Sequence, residues 1–517
     1  MVRRFINKAI WLIVKKTPWK PILIWGPWVV VLLVLGFYGI ENWRGAKAWE
    51  KAQLAAKKKG VSLNFQDYFP EPHPEGFAPA TLPLLDGTEV RTFKKRLRSG
   101  DPGFNSKRSA RDLITLKNRW KAEPRDIRFW LDSPTGIHLH QDAATELQRI
   151  AKLDLESFRI LVEESKNKKL IFRPTSSTPR FNEILETNFI VDFNIYQLAA
   201  EDTLIAIALE DNDRAFDNLE MMLSIIQSER YPSLLSFLIQ HTGIILFEEI
   251  LWETVFSDIL SIQQLEKIEK LIAKINIHED IIQMLEAELA FSLGYLENAK
   301  SDREELALSI LMFTEAGLLN HFETGWTPAD DLIGIIDDFL FKRIPTGWID
   351  LCKSEIILHS LAMQNAFEQG GFEKMASYDI HASSHYPLVN PYASEVLSLS
   401  QNAASKASWS TALIGISRIG LALEIFKRSN GYYPKYLSEL TLPNLTDPYS
   451  GKPFEYQLKN DKTPIIWSVG PNRIDENGLP GFIKEEGDIV WQLTPIHGLS
   501  EVDLKKQLSK HRVKQEN

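Results

Sequence analysis

Residues 22–40 read ILIWGPWVVVLLVLGFYGI, an apolar run of 19 residues without a charged side chain. At about 1.5 Å of rise per residue, about 20 apolar residues cross the hydrocarbon core of a bilayer. Aromatic residues flank both ends of the run, as expected at membrane interfaces: Trp19, Trp25, Trp28, Phe37, Tyr38 and Trp43. The run therefore predicts a transmembrane helix rather than a buried core helix.

A cleaved signal peptide is the main alternative for this run. Its end, FYGIENW at residues 37–43, lacks the small-x-small pattern of a cleavage site, so we expect an uncleaved signal anchor. Residues 1–21 carry six basic and no acidic residues, whereas residues 41–59 carry six basic and two acidic ones. This small difference favours a basic tail 1–21 in the cytoplasm and a periplasmic body, in a single-pass protein of a bacterial inner membrane.

Charge is distributed unevenly along the 517-residue chain. The net charge is −9, but residues 1–60 contribute +10 and the remainder −19. With 44% hydrophobic and 25% charged residues the composition is globular, which excludes wholesale disorder. The only cysteine, Cys352, excludes an intrachain disulfide framework and multi-cysteine metal sites.

The segment after the membrane run predicts a stalk. Residues 41–60 favour a juxtamembrane helix that continues the anchor and ends at Gly60. Residues 61–135 form a Pro-rich and basic linker region, in which residues 88–128 hold 13 basic and 5 acidic side chains. Because this patch lacks interleaved aromatics and adjoins an anchor, it indicates an anionic membrane surface rather than nucleic acid.

Residues 136–400 predict an irregular α-helical domain without a fixed-period repeat. An acidic turn at 210–213 divides residues 195–227 into a helical hairpin, whose second helix we expect to be capped by Asn212 or Asp213. Ser261 offers an N-cap for a helix that runs to Lys274. Further helices are expected at 234–258, 279–298, 302–317, 329–341 and 350–369.

The character changes near the C-terminus. A helix over 407–429 should stop at Asn430-Gly431, and strands are expected at 453–457, 465–469 and 488–492. Residues 401–493 thus predict a small α+β module, followed by a charged tail at 494–517. The fold class is mainly α, with one N-terminal transmembrane helix and this module at the end.

Five motifs follow one another in order in this module: LALEIF at 421–426, NGYYP at 430–434, DPYSGKPFEY at 447–456, WSVGPN at 467–472 and GDIVW at 487–491. Over about residues 411–493 this set resembles the C-terminal globular part of type II secretion major pseudopilins. The chain departs from that family in its leader, its cleavage site and the missing acid early in the apolar helix. It is therefore not expected to be a pilus subunit.

The resemblance also implies calcium binding in the last loop, residues 472–488. The acids there are suited to calcium, which prefers hard oxygen ligands. The ligands it implies are Asp475, Glu476, Glu485 and Asp488. A solvated acidic loop is the alternative interpretation.

The whole chain resembles uncharacterised single-pass membrane proteins of planctomycete and verrucomicrobial bacteria. The resemblance rests on Trp49 in the juxtamembrane helix, YFPEP at 68–72 and the hairpin at 199–227. It implies no activity.

The remaining candidate sites are weaker. His138 and His140, with Asp142, suit a metal site only on a strand, and His381 and His385 suit one only on a helix. The sequence places no further protein ligand beside either set. The acid pairs at 330–331 and 337–338 and the thiol of Cys352 are interpreted as structural. The chain has no G-x-S-x-G, P-loop, G-x-G-x-x-G after a strand or H-E-x-x-H motif, so no catalytic or cofactor-binding residue is predicted.

These features favour a non-catalytic scaffold or protein-interaction role at the envelope. The bilayer, contacted through residues 22–40, and envelope proteins are the expected partners, and nucleic acid is not. Calcium is the only expected cofactor. The alternative is a membrane-anchored periplasmic hydrolase with a metal or acid/base site in the helical domain.

Overall fold

The computed structural model describes residues 19–69, 75–79, 156–172, 189–301, 345–379, 390–443, 445–459, 462–481, 487–493 and 506. These residues are mainly helical, with small sheets. The chain forms two compact units. The first draws on Met1–Leu63, Ser292–Ala362 and Asp379–Ser398, and the second on Asn64–Phe291, Met363–Tyr378 and Leu399–Asn517.

The elements follow in chain order. The helices are α1 (Trp19–Lys59), α2 (Glu156–Asn167), α3 (Phe189–Ala208), α4 (Asn212–Ile226), α5 (Leu234–Phe256), α6 (Ile262–Ile272), α7 (Ile277–Ser301), α8 (Thr346–Ala376) and α9 (Asn390–Asn430). The strands are β1 (Ile171–Phe172), β2 (Glu229–Arg230), β3 (Glu455–Leu458), β4 (Pro464–Ser468) and β5 (Ile489–Gln492).

Helix α1 joins the predicted anchor and the predicted juxtamembrane helix into one element of 41 residues. Its apolar side chains from Trp25 to Ile40 are largely exposed. The helix ends as expected at Gly60, whose φ of +80° suits a residue without a Cβ.

Among the residues that the structure describes, three helices are long and apolar enough to cross a membrane. In Trp25–Lys59 only 6% of the most apolar window is buried in the protein, against 67% in Leu234–Phe256 and 61% in Val396–Asn430. The last two therefore place most of their apolar surface against other parts of the chain, as core helices do.

Local sequence predicted several helix ends correctly. Ser261 caps α6 as expected, and the structure shows that it does so in a capping box with Gln264. The predicted cap of α4 was wrong by one residue: Asp211, not Asn212 or Asp213, accepts the Arg214 N–H. Asp213 lies inside the first turn, where its carboxylate interacts favourably with the helix dipole.

Other helices differ from their predicted extents. Helix α8 is longer than predicted, with a break at Gly370 and Gly371 where Gly371 adopts φ 69°. Helix α9 begins at Asn390, 17 residues before the predicted start at residue 407. The predicted helices at 302–317 and 329–341 lie outside the described residues, as does most of the linker 61–135.

The end of the second unit is an antiparallel sheet of order β3-β4-β5 packed on α9. Two glycines of α9 make room for its aromatic rings. A Cβ at Gly415 would lie 2.5 Å from the ring of Phe454, and one at Gly420 would lie 2.6 Å from the indole of Trp491. The helix, its stop at Gly431 (φ 82°) and the three strands follow in the predicted order.

Candidate functional site

The acidic loop of the C-terminal module is built around two buried carboxyl groups. Glu476 and Asp488 are 3% and 4% exposed. Asp488 accepts the Gly478 N–H at 2.7 Å and the Glu476 N–H at 3.4 Å, and Asn472 Nδ2 donates to Glu476 Oε1 at 2.7 Å. These bonds fold the loop so that both acids point inward.

The two carboxyl groups affect each other's ionisation. Burial, together with the nearby Glu476 carboxylate, raises the pKa of Asp488 well above its usual range. Two buried acids at one place cannot both ionise at low cost unless a cation lies between them. This arrangement therefore suits a proton shared by the two groups or a positive ion between them.

The predicted calcium ligands are only partly brought together. Glu476 and Asp488 adjoin, but Asp475 Oδ1 accepts the Trp467 indole N–H at 2.9 Å and the Asn477 N–H at 2.8 Å. Glu485 lies outside the described residues. Across the described ranges there is no group of three His, Cys, Asp or Glu side chains that could hold a metal ion. Two carboxylates alone fall short of the six to eight oxygens that calcium takes.

A third buried acid stabilises the turn before the sheet. Asp447, 1% exposed, accepts hydrogen bonds from Tyr449 N at 3.1 Å, Ser468 Oγ at 2.7 Å and Val469 N at 3.3 Å. With Gly451 at φ 68° this forms the predicted tight turn. All the donors to Asp447 are internal to the module, so we assign it a structural role.

The junction between α1 and the start of α8 is the second candidate site, and both parts belong to the first unit. Asn42 Oδ1 accepts the Gly347 N–H at 2.9 Å and the Thr346 hydroxyl at 3.1 Å. It thus caps the N-terminus of α8 from a residue about 300 positions earlier in the sequence. The neighbouring Glu41 accepts the Trp348 indole N–H at 2.9 Å, and Arg44 pairs with Glu41 at 2.6 Å.

Two glycines permit close approach at this junction. A Cβ at Gly45 would lie 2.1 Å from the Gly347 carbonyl oxygen, and one at Gly347 would lie 2.1 Å from the Glu41 carbonyl oxygen. Neither position tolerates a side chain without movement of the backbone. The two segments are therefore in direct backbone contact.

Lys353, which is 2% exposed, makes a further contact with α1 from the second turn of α8. Its ammonium lies 4.0 Å from the centre of the Trp49 ring, 2.6 Å from Glu297 and 3.0 Å from Asp350. Cation–π attraction and two ion pairs compensate for burial of the charge. In the sequence, Trp49 was notable only as part of a family resemblance. In the structure it packs against Lys353.

Sequence reasoning missed this junction. It treated residues 41–60 as a spacer helix, although Glu41, Asn42 and Gly45 follow the apolar run directly. Polar residues and a glycine at such a boundary are a signal for helix packing. Nothing local, however, indicated that the partner would be residues 346–353.

The other predicted candidates give no assembled site. Cys352 is buried, and burial raises the pKa of its thiol to about 12, so it is an inert core residue as expected. The remaining candidates lie outside the described residues: His138, His140, Asp142, Asp330, Asp331, Asp337, Asp338, His381 and His385.

One hydroxyl–imidazole pair was not anticipated. His241 Nδ1 on α5 lies 2.8 Å from Ser410 Oγ on α9, and the two residues are 6% and 0% exposed. That distance suits a nucleophile and its base, but a substrate has no surface from which to reach either atom. The pair instead links two core helices.

Searches of protein-family models, curated proteins and solved structures find no match to this chain.

Proposed function

We propose that this protein is a non-catalytic scaffold or interaction protein, held in a bacterial inner membrane by one helix, with a cytoplasmic N-terminus and a periplasmic body. The proposal that only one helix spans the membrane rests on a difference in burial among the three apolar helices of the described residues. The protein buries 6% of the most apolar window of α1, but 67% of that in α5 and 61% of that in α9. An uncovered apolar surface of that length needs lipid around it.

The junction of α1 with α8 supports a body that is held rigidly at the membrane surface. Trp348 packs edge-on against Phe37, with ring centres 6.2 Å apart, and donates its indole N–H to Glu41. An indole beside the last apolar turn suits the membrane–water interface, because its ring can contact the apolar region while its N–H is hydrogen-bonded on the polar side. We infer that Trp348 contributes to the aromatic belt together with Tyr38 and Trp43.

A contact role for the pseudopilin-like module is part of the proposal. The helix, helix stop and three-stranded antiparallel sheet in sequence order support the resemblance. Within the second unit, Arg418 of α9 pairs with Glu269 at 2.9 Å, and the Trp252 indole donates to the Gln492 carbonyl at 2.9 Å. A module attached in this way to helices α5 and α6 suits a fixed recognition element better than a polymerising subunit.

Calcium is the proposed cofactor of the module, with Glu476 and Asp488 as its first ligands. Support comes from their shared burial, since a divalent ion would remove the repulsion between two carboxylates. The remaining oxygens would have to come from the loop around them.

Reporter fusions test the topology. Alkaline phosphatase fused after Asn517 of the full chain should be active in the periplasm, and a fluorescent protein fused there should stay dark if exported through the Sec pathway. Fusions to the N-terminus should give the opposite pattern. A phosphatase that is inactive at the C-terminus while the fluorescent protein is bright would contradict the proposed orientation.

Site-specific photocrosslinking tests the contact role. Tyr432 and Tyr436 are each 58% exposed, immediately after α9. A photoreactive amino acid at either position should give discrete adducts in cells, whereas the exposed Gln263 on α6 serves as control. Absence of adducts at both tyrosines, or the same adducts at Gln263, would contradict a partner surface on the module.

A further inference from the structure

A cavity of about 510 Å³ opens within the second unit. Its walls come from the end of α4, strand β2, the start of α5 and the first turns of α7, with the 3-10 turn Phe65–Tyr68 beside them. Small-molecule sites typically measure about 300–1,000 Å³. The cavity is therefore large enough for a ligand, and the envelope role proposed above does not use it.

The turn beside the cavity is fixed by an aromatic cluster. The rings of Phe69 and Tyr231 lie 4.8 Å apart, and the Tyr231 hydroxyl donates to the Ala287 carbonyl at 3.0 Å. Phe65, Tyr68 and Phe291 pack against the same cluster. The wall is consequently preformed, which lowers the entropy cost of binding.

Gln240 and Asp280 form a fixed polar pair in the wall. The Gln240 amide donates one hydrogen to the Ile226 carbonyl at 3.2 Å and the other to Asp280 Oδ2 at 2.8 Å. Gln240 Oε1 and the second Asp280 oxygen then remain as acceptors. Burial raises the pKa of Asp280 to about 6, which shows how far water is excluded from this carboxyl group.

Arg230 supplies donors on the same cavity. Its guanidinium lies 4.7 Å from the centre of the Phe172 ring, and it donates to Ile225 O at 2.8 Å and to Ser228 Oγ at 3.2 Å. Its charge lowers the pKa of Asp280, in opposition to burial. Two further acids line the cavity: Glu229 pairs with Lys169, and Asp67 accepts a hydrogen bond from Asn64 Nδ2 at 2.9 Å. The charged groups of the wall are thus engaged within the protein, which favours a neutral ligand over an ion.

The polar side chains of the wall offer hydrogen-bond acceptors to the cavity. Gln240 Oε1 and Asp280 Oδ1 can each accept a hydrogen bond from a hydroxyl group, and because Gln240 and Asp280 adjoin, they can engage neighbouring hydroxyl groups of one molecule. Tyr68, Phe237 and Met284 add apolar surface to the lining, suited to the C–H face of a ring. We propose that this cavity binds a neutral polyhydroxylated molecule, a mono- or disaccharide.

Binding is tested on the full chain in a detergent without a sugar head group. Saturation-transfer NMR and calorimetry would use glucose, N-acetylglucosamine and maltose as probes, with glycine and alanine as zwitterionic comparators. We expect saturable binding of at least one saccharide and none of the amino acids. Gln240→Ala and Asp280→Ala should each weaken that binding about tenfold or more. Gln263→Ala, exposed on α6 outside the cavity, should leave it unchanged.

Three results would overturn the assignment: no binding of any saccharide, binding that neither variant weakens, or binding of an amino acid instead. Circular dichroism melting would establish that each variant is folded. Asp280→Asn, which keeps the shape of the side chain, replaces Asp280→Ala if the latter does not fold.

Discussion

The indole nitrogen of Trp348 lies 2.9 Å from Glu41 Oε2, and this bond joins the first turn of α8 to the last apolar turn of the anchor helix. The adjacent residues make a second link, because Asn42 Oδ1 caps Gly347 at 2.9 Å. Within the first unit, helix α1 and the start of α8 are thus joined directly where the chain leaves the apolar run. A flexible stalk is not needed to explain how residues 41–59 connect them.

Replacement of Gly45 should loosen the anchor junction. A Cβ at Gly45 would lie 2.1 Å from the Gly347 carbonyl oxygen, so Gly45→Ala should destabilise the first unit by about 1–3 kcal/mol. Gly36→Ala in the same helix is the matched control, since nothing lies within 4 Å of its Cβ. Thermal melting and limited proteolysis of the purified full chain would measure both. Equal stability of the two variants would contradict the close crossing.

Removal of the cap on α8 should fray its first turn. Asn42→Ala leaves the Gly347 N–H and the Thr346 hydroxyl without this acceptor, and caps are worth about 0.5–2 kcal/mol. Hydrogen exchange of the amides at 346–349 should accelerate, and Asn42→Asp should restore protection because a carboxylate also caps. If hydrogen exchange at 346–349 is unchanged in Asn42→Ala, the Asn42 cap does not stabilise the first turn of α8.

The pair of Glu476 and Asp488 should make stability depend on pH. An unfolded Asp ionises near pH 4, whereas the folded Asp488 retains its proton to higher pH. Between those values the folded state binds more protons, so stability falls as pH rises, by at most about 1.4 kcal/mol per unit. Melting temperatures from pH 5 to 8 should decline in the wild type and decline less in Asp488→Asn.

Asp475→Asn, at an exposed position in the same loop, is the control. Its melting temperature should decline with pH as steeply as that of the wild type. A wild-type slope equal to that of Asp488→Asn would show that the pair does not hold an extra proton in the folded state.

Calcium should compete with the shared proton. Calorimetric titration of the full chain with calcium chloride should give heat that is lost in Asp488→Ala and Glu476→Gln. Proton release should appear as a dependence of the measured enthalpy on the buffer. Asp475→Ala should weaken binding less, because that carboxylate is engaged by the Trp467 indole. No heat and no thermal shift with the wild type would remove calcium from the proposal.

Elements whose cause is local could be predicted from the sequence. The uncharged run 22–40, the stop at Gly431 and the N-cap Ser261 each depend on residues within a few positions of one another. The strands 465–469 and 488–492 were also found to within one residue at either end. The cap of α4 moved to Asp211 because several adjacent acids compete for that place.

The sequence by itself determined an apolar N-terminal helix, a helical body and a helix followed by strands, because hydrophobic period and turn chemistry act over short distances. Only the tertiary structure decided which charged and polar groups meet. Glu41 meets Trp348, Trp49 meets Lys353, and Gln240 meets Asp280. These partners lie 40 to about 300 residues apart, so they come into contact only when folding brings their segments together and removes the water between them.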